Sequence, residues 1–412
     1  MAGTLYTHIE KLAGITNNVQ SPLRGKELKI LEQISDAWLL IKDGLIADYG
    51  KMESLPSVTV DEIIKCENQT ILPAWCDSHT HLVYAATRED EFVDRINGLS
   101  YQEIAARGGG ILHSAKKIAK ASEEELIRSA LARLSEVIRC GTGAIEIKTG
   151  YGLTVKEELK MLCVIDQIKS LSPIPVKATL LAAHAVPAEF KHDKKGYINL
   201  IINELIPEAG KLNIAEFCDV FCEENYFTPD ETIEILEAGK KHGMRPKVHA
   251  NQLTQSGGVQ AGVKTGAISV DHLEYVFDQE LETLKNSNTI GTILPGAQFF
   301  LQLPMPPVRK MLENNIALAI ASDYNPGSSP SGNMSFMVSL ACINYKLSPE
   351  EAINAATING AFAMNLNRTH GSIEKGKVAS FMITKKGTGY PFIAYSFANN
   401  TLDHIIIGGK RF

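Results

Sequence analysis

Short apolar runs broken by turn residues open the chain. Residues 37–41 (Ala-Trp-Leu-Leu-Ile) and 45–49 flank Lys42, Asp43 and Gly44. An Asp-Gly pair tolerates the positive φ of a tight hairpin, so two paired strands are expected there. Residues 62–66 form a third strand candidate. Past Leu72 and Pro73 the pattern changes. From there to about residue 365, short apolar runs alternate with amphipathic stretches. Strand candidates fall at 143–147, 176–182, 219–221, 247–248, 267–270, 289–294 and 316–321. Helical spacing covers 156–171. Another helix starts at Pro229, with Thr228 as its cap, and ends near His242 and Gly243. Strand-then-helix alternation repeated this often implies parallel strands, and a closed (β/α)8 barrel of the TIM type is the economical solution. The tail returns to strands at 371–383 and 404–409. The two β segments are expected to pair into a small composite β-sandwich, dividing the chain into residues 1–73, a barrel over 74–366, and residues 367–412.

Composition narrows the classes of function. A chain of 412 residues with 44% hydrophobic and 21% charged residues suits a globular enzyme of one large barrel plus a small domain. A net charge of -6 argues against nucleic acid as a partner. No apolar run reaches the roughly 18 residues of a membrane span. The first ten residues lack a basic stretch followed by an apolar core, so no signal peptide is read and the cytoplasm is expected. The seven cysteines are odd in number and scattered, which suits buried thiols in a reducing compartment. Cys218 and Cys222 are four apart, but no second Cys or His pair lies near them, so they are read as core residues.

The polar residues that end the apolar runs carry the chemistry. His79 and His81 end the first barrel run, His184 ends 180–183, His249 follows Lys247 and Val248, His272 ends 268–271, and Asp323 ends 319–322. In a parallel barrel the C-terminal strand ends share one face, where barrel enzymes place their active sites. A lone His at a strand end is ordinarily a hydrogen-bonded core residue, but six such placements at successive strand ends are not explained by packing. Along a strand, side chains alternate, so His79 and His81 point one way and Thr80 the other. His249 and Asp323 complete a four-ligand set with room for water. Three imidazoles and one carboxylate suit Zn2+ or iron (Fe2+/Fe3+), not an all-oxygen Mg2+ or Ca2+ site.

The stretch from Leu72 to His81 (Leu-Pro-Ala-Trp-Cys-Asp-Ser-His-Thr-His) resembles the signature after the first barrel strand of the amidohydrolase superfamily. Within it the chain is similar to the imidazolonepropionase family. The stretches that carry this are 87–92 (Thr-Arg-Glu-Asp-Glu-Phe), 101–110 ending in three glycines, 146–153 (Glu-Ile-Lys-Thr-Gly-Tyr-Gly-Leu) and 322–330 (Ser-Asp-Tyr-Asn-Pro-Gly-Ser-Ser-Pro). The resemblance runs from about residue 35 to the C-terminus. It implies hydrolysis of the ring amide of 4-imidazolone-5-propanoate to N-formimidoyl-L-glutamate. It also implies His79, His81, His249 and Asp323 as ligands of one divalent cation, and Arg88, Tyr151, His184, Gln252, Asn325, Gly327 and Ser328 as substrate contacts. Such barrels are commonly homodimers.

Each residue has a physical reading and a plainer one. The planar fork of Arg88 suits a carboxylate, or else forms a surface ion pair with Glu89 or Asp90. Tyr151 offers a hydroxyl to a ligand, or packs in the core. Residues 325–328 grip a polar ligand, or are only a turn. Gly108 to Gly110 lack the Lys-Ser/Thr of a phosphate loop and read as a flexible closing loop. Lys148 is read as structural, which favours one metal. Asp323 is the expected general base, His272 holds or polarises the water, and His184 stabilises the developing oxyanion. One departure stands out. Many relatives carry Glu where this chain has Gln252, and an amide accepts no proton at neutral pH. That weakens the alternative of a deaminase, while another cyclic amidohydrolase stays open.

Overall fold

The computed structural model describes residues 3–99, 103–104 and 107–412. Eight strands form the barrel wall in chain order: β6 (Trp75–Asp77), β7 (Thr142–Lys148), β8 (Val176–Ala183), β9 (Phe217–Cys222), β10 (Arg245–Ala250), β11 (Ser269–His272), β12 (Ile290–Ile293) and β13 (Leu318–Ile320). Every neighbouring pair from β6 to β13 is parallel. The ring closes just beyond the first and last strands. Asp323 N–H donates to His79 O at 3.0 Å, and His81 N–H donates to Tyr324 O at 2.9 Å. One or more helices follow each strand, and their apolar faces bury the continuous hydrophobic runs of the wall in one large core. The result is a (β/α)8 barrel, as the alternation predicts.

Local signals explain the elements. The helix Pro229–Lys241 opens on a capping box: Glu231 N–H donates to the Thr228 hydroxyl, and the Glu231 carboxylate returns to Thr228 N–H at 2.8 Å. The helix Val155–Leu171 is capped by Thr154. At the hairpin, Asp43 (φ 51°) and Gly44 (φ 77°) take the left-handed region that the turn demands.

The chain ends build a second, mixed sheet of eight strands. Its order is β16 (Lys410–Arg411), β15 (Leu402–Ile407), β14 (Phe381–Thr384), β5 (Thr70–Pro73), β1 (Gly3–Ala13), β2 (Gln33–Lys42) and β3 (Leu45–Lys51), with β4 (Glu62–Lys65) also on β1. One apolar cluster, from Tyr6 and Ile41 to Ile383 and Ile406, joins strands from both chain ends. The strand expected over 371–383 is confined to β14. Gly371 and Gly376, both at φ 88°, turn the chain before it. Between β1 and β2 the chain leaves the sheet and lies against the barrel. There Asn359 Nδ2 donates to Leu23 O at 2.9 Å, and Leu23 packs against the apolar cluster that contains Ile290 and Ala317. No helix among the described residues is long and apolar enough to cross a membrane.

Candidate active site

The C-terminal strand ends bring six polar side chains together, all buried. Three overlapping triads have donor atoms within 4.8 Å of one another: His79, His249 and His272; His81, His184 and His249; His79, His81 and Asp323. Thr80 points the other way and donates to Glu146 O at 2.6 Å, as strand alternation requires. The chain turns sharply here. Asn251, His272 and Asp323 all have positive φ (56°, 91° and 52°), a conformation that costs free energy and clusters at functional sites.

Beneath the histidines lies a floor of buried charge. Lys148 Nζ donates to Glu146 Oε1 at 2.6 Å and to Asp219 Oδ2 at 2.8 Å, with Asp271 Oδ2 at 3.9 Å. Lys247 pairs with the other oxygen of Glu146 and donates to Ser78 O at 2.9 Å. Burial opposes the charge on Lys148, but Asp219, Glu146 and Asp271 hold it protonated, above the ordinary lysine range. Burial opposes Asp219 too, yet His249 and Lys148 hold its carboxyl well below the usual range.

This floor fixes the imidazoles. Asp271 Oδ2 lies 2.7 Å from His79 Nδ1, and Asp219 Oδ2 lies 3.0 Å from His249 Nδ1. The Asp271 carboxylate places the His79 ring proton on Nδ1 and turns its Nε2 lone pair inward, while Asp219 holds His249 through the close contact and through His249 N–H at 3.1 Å. Burial, then Lys148, pushes the pKa of His79 well down; burial, then His184, does the same for His81. Both rings are therefore neutral, the form that binds metal. His79 Nε2 is buried without a hydrogen-bond partner. It lies 3.4 Å from Asp323 Oδ1, His81 Nε2 lies 3.5 Å from the same oxygen, and His249 Nε2 lies 3.4 Å from His81 Nε2. Ligands about 2.0–2.1 Å from a tetrahedral centre stand about 3.3–3.4 Å apart. The donor set fits one divalent cation.

A cavity of about 40 Å³ opens above this cluster. Arg88, Tyr151, His184, Gln252, Asn325 and Ser328 line it together with His81, His249, His272 and Asp323, and Ile111, Phe221 and Leu301 give it apolar walls. Arg88 is buried, and its Nε and Nη1 have no hydrogen-bond partner. Its acidic neighbour is Glu91, at 3.7 Å, not the expected Glu89 or Asp90. Asn325 shapes the far rim: its Oδ1 accepts from Gly327 N–H and Ser328 N–H, each at 2.8 Å.

The model of the amidohydrolase family matches residues 70–412. Imidazolonepropionases align along nearly the whole chain. That of Christiangramia forsetii is 51% identical over 98% of this chain and 99% of its own length; that of Geobacillus kaustophilus is 37% identical over 97% and 95%. The chain belongs to the amidohydrolase family, in its imidazolonepropionase branch. Solved structures share the amidohydrolase fold at low identity. A triazine hydrolase variant superposes with a TM-score of 0.76 at 14% identity, covering 99% of this chain and 94% of that one. A zinc-bound adenosine deaminase from Xanthomonas campestris gives 0.73 at 14% identity, covering 100% and 92%.

Within this amidohydrolase site, the sequence-predicted residues converge with one displacement. Gly327 is not on the cavity wall but lies against the Arg88 guanidinium. Part of the stretch 101–110, residues 101–102 and 105–106, lies outside the described residues. At its end, Gly110 opens the helix Gly110–Lys120 and donates N–H to Glu91 Oε1 at 2.9 Å. His184 departs from its expected role. Its Nδ1 lies 3.0 Å from Gly150 O and so carries the ring proton, and burial, then His249, pushes its pKa down to about 3. A neutral ring of that tautomer offers an acceptor at Nε2, which suits a substrate N–H and does not stabilise an oxyanion. His272 is the better proton donor: burial works against its charge, but Glu274, Asp323 and Asp271 raise its pKa.

Sequence reasoning missed Asp219 and Asp271 altogether and gave Lys148 no part in the site. Their signal was charged residues inside otherwise apolar strands. It also missed Glu158, whose buried carboxylate accepts N–H from Gly152 at 2.6 Å and Leu153 at 2.8 Å, pinning the loop that carries Tyr151.

Proposed function

We propose that this chain hydrolyses the ring amide of 4-imidazolone-5-propanoate to N-formimidoyl-L-glutamate, a step of histidine degradation, in the cytoplasm. The observation that supports the reading is the pairing in one cavity of clustered metal-competent side chains, His81, His249 and Asp323 among them, with the buried guanidinium of Arg88, two of whose nitrogens lack hydrogen-bond partners. A flat cyclic amide with a short carboxylate arm meets both ends.

His79, His81, His249 and Asp323 would hold one cation, Zn2+ or iron, which when bound lowers the pKa of water from about 15.7 toward about 7 and polarises a carbonyl. Asp323 has its two oxygens divided between tasks. Oδ1 faces the imidazoles, while Oδ2 lies 3.4 Å from Ser328 Oγ and is free to take the proton of the attacking water. The water oxygen bonds to the ring carbonyl carbon. His272, whose pKa Glu274 raises against the effect of burial, offers a proton toward the carbonyl oxygen as negative charge develops there. The ring C–N bond then breaks, and Asp323 returns its proton to the departing nitrogen. His184 accepts the ring N–H, and Gln252, with both a donor and an acceptor, orients the ring without exchanging a proton. Arg88 binds the propanoate through charge-assisted hydrogen bonds.

The test is a decay assay. Imidazolonepropanoate is generated in situ from urocanate and its absorbance followed with purified protein before and after chelation. Fast decay to formimidoylglutamate, lost on chelation and restored by Zn2+ or Fe2+, is expected. Folded, metal-replete protein that leaves the decay at its spontaneous rate would refute the assignment.

A further inference from the structure

Gly327 sits where a side chain would have to displace a single neighbour. A Cβ built on it would fall inside the Arg88 guanidinium, its three nearest atoms being Nη2, Cζ and Nε of that residue. The backbone of Gly327 is not in the left-handed region, so alanine is conformationally acceptable there. Both backbone polar groups of Gly327 are also engaged. Its N–H goes to Asn325 Oδ1 at 2.8 Å, and its carbonyl accepts from Arg95 Nη2 at 2.8 Å. The N–H is not available to a substrate without breaking a bond that shapes the loop.

We propose that Gly327 is a specificity-determining position that acts through Arg88. Its bare Cα is the seat on which the guanidinium lies, and the seat aims the fork at a carboxylate-bearing substrate. This rests on the reading of Arg88 as the carboxylate partner. The seat is held from two sides, by the Asn325 side chain within its own loop and by Arg95 from the helix Glu89–Ile96, which begins directly after Arg88. Helix and loop thus grip one another across the cavity mouth, with Arg88 between them. A methyl group on the seat lifts the guanidinium off it, and a planar bidentate donor tolerates little misalignment.

A double-mutant cycle tests this with the metal-loaded protein and two probes, imidazole-4-propanoate and its uncharged primary amide. Binding is measured by calorimetry, alongside melting temperature and metal content. Gly327→Ala is expected to weaken propanoate binding about 10- to 100-fold, to leave amide binding within about twofold, and to leave metal content unchanged. Adding Gly327→Ala to Arg88→Ala is expected to cost nothing further in binding or in melting temperature, because the obstruction has gone. If Gly327→Ala alone is poorly folded, recovery in the double variant supports the seat, and persistent instability overturns it. Full propanoate binding by Gly327→Ala, with Arg88→Ala weakened, overturns the seat and leaves the carboxylate reading intact. Unchanged propanoate binding by Arg88→Ala overturns the carboxylate reading itself, and the seat with it.

Discussion

The floor and the rim of the cavity are built on opposite principles. The floor consists of strand residues, fully buried and bound to one another: Lys148, Glu146, Asp219, Asp271 and Lys247. Nothing in it faces the cavity. Its work is to hold the rings of His79 and His249 in place beneath the cavity. The rim consists of loop residues that line the cavity, such as Arg88, whose Nε and Nη1 have no hydrogen-bond partner, and Asn325 and Ser328 on a turn whose polar groups bond to one another. Rigid elements hold the reactive centre, and loops hold the part that chooses the substrate.

Asp323 belongs to both regions, so its loss is expected to have the largest effect. Asp323→Asn should lower kcat at least about 10³-fold, because the amide is a weak ligand and no base. Single-turnover decay together with metal analysis checks this; a near-normal rate would remove Asp323 from its role.

Breaking the floor comes next. Lys148→Met leaves Asp219 and Asp271 without their shared cation. Removing one partner of a buried ionic group costs about 3–5 kcal/mol. Denaturant unfolding of the metal-free chain measures that loss, and chelator competition should show metal affinity down about 10- to 100-fold. A variant that kept its metal affinity and lost only substrate binding would collapse the distinction between floor and rim.

The smallest effect sharpens the contrast by using a histidine that has no carboxylate beneath it. His370 is buried outside the cavity, with Nδ1 2.9 Å from the Thr369 hydroxyl, and burial, then Lys377, pushes its pKa down to about 4. It is neutral when folded, so its contribution is intact above the unfolded value of about 6.5. It is lost as pH falls from there toward 4, by at most about 3 kcal/mol. His370→Gln should flatten the stability profile over that window in urea titrations. An unchanged slope would mean that the ring titrates normally.

What the sequence disclosed follows the same division. Strand-then-helix alternation announced the barrel, and histidines at strand ends announced the buried cluster of metal-competent side chains, because those patterns are local. Arg88 and the turn at 325–328 were legible from the resemblance of short stretches. The floor was not. Asp219 pairs with His249 and Lys148, and Asp271 with His79, across separations of 30, 71 and 192 residues, and no local period encodes such contacts. The tautomer of His184 was out of reach for a related reason: it is set by Gly150 O, 34 residues away. The tail strand over 371–383 was overextended because two glycines were read as part of a meander.

The closure of the barrel has a consequence for the life history of the protein. His79 and His81 lie near the start of the barrel and Asp323 near its end, and the backbone bonds that join the first wall strand to the last are made by these same ligand residues and their neighbour Tyr324. A ribosome must therefore deliver nearly the whole barrel before the donor set exists. An emerging chain holds its histidines before it holds Asp323, so the donor set is completed only as the ring closes. Conversely, an ion clasped across that seam would resist its parting, so metal loading would act as a lock on the finished ring.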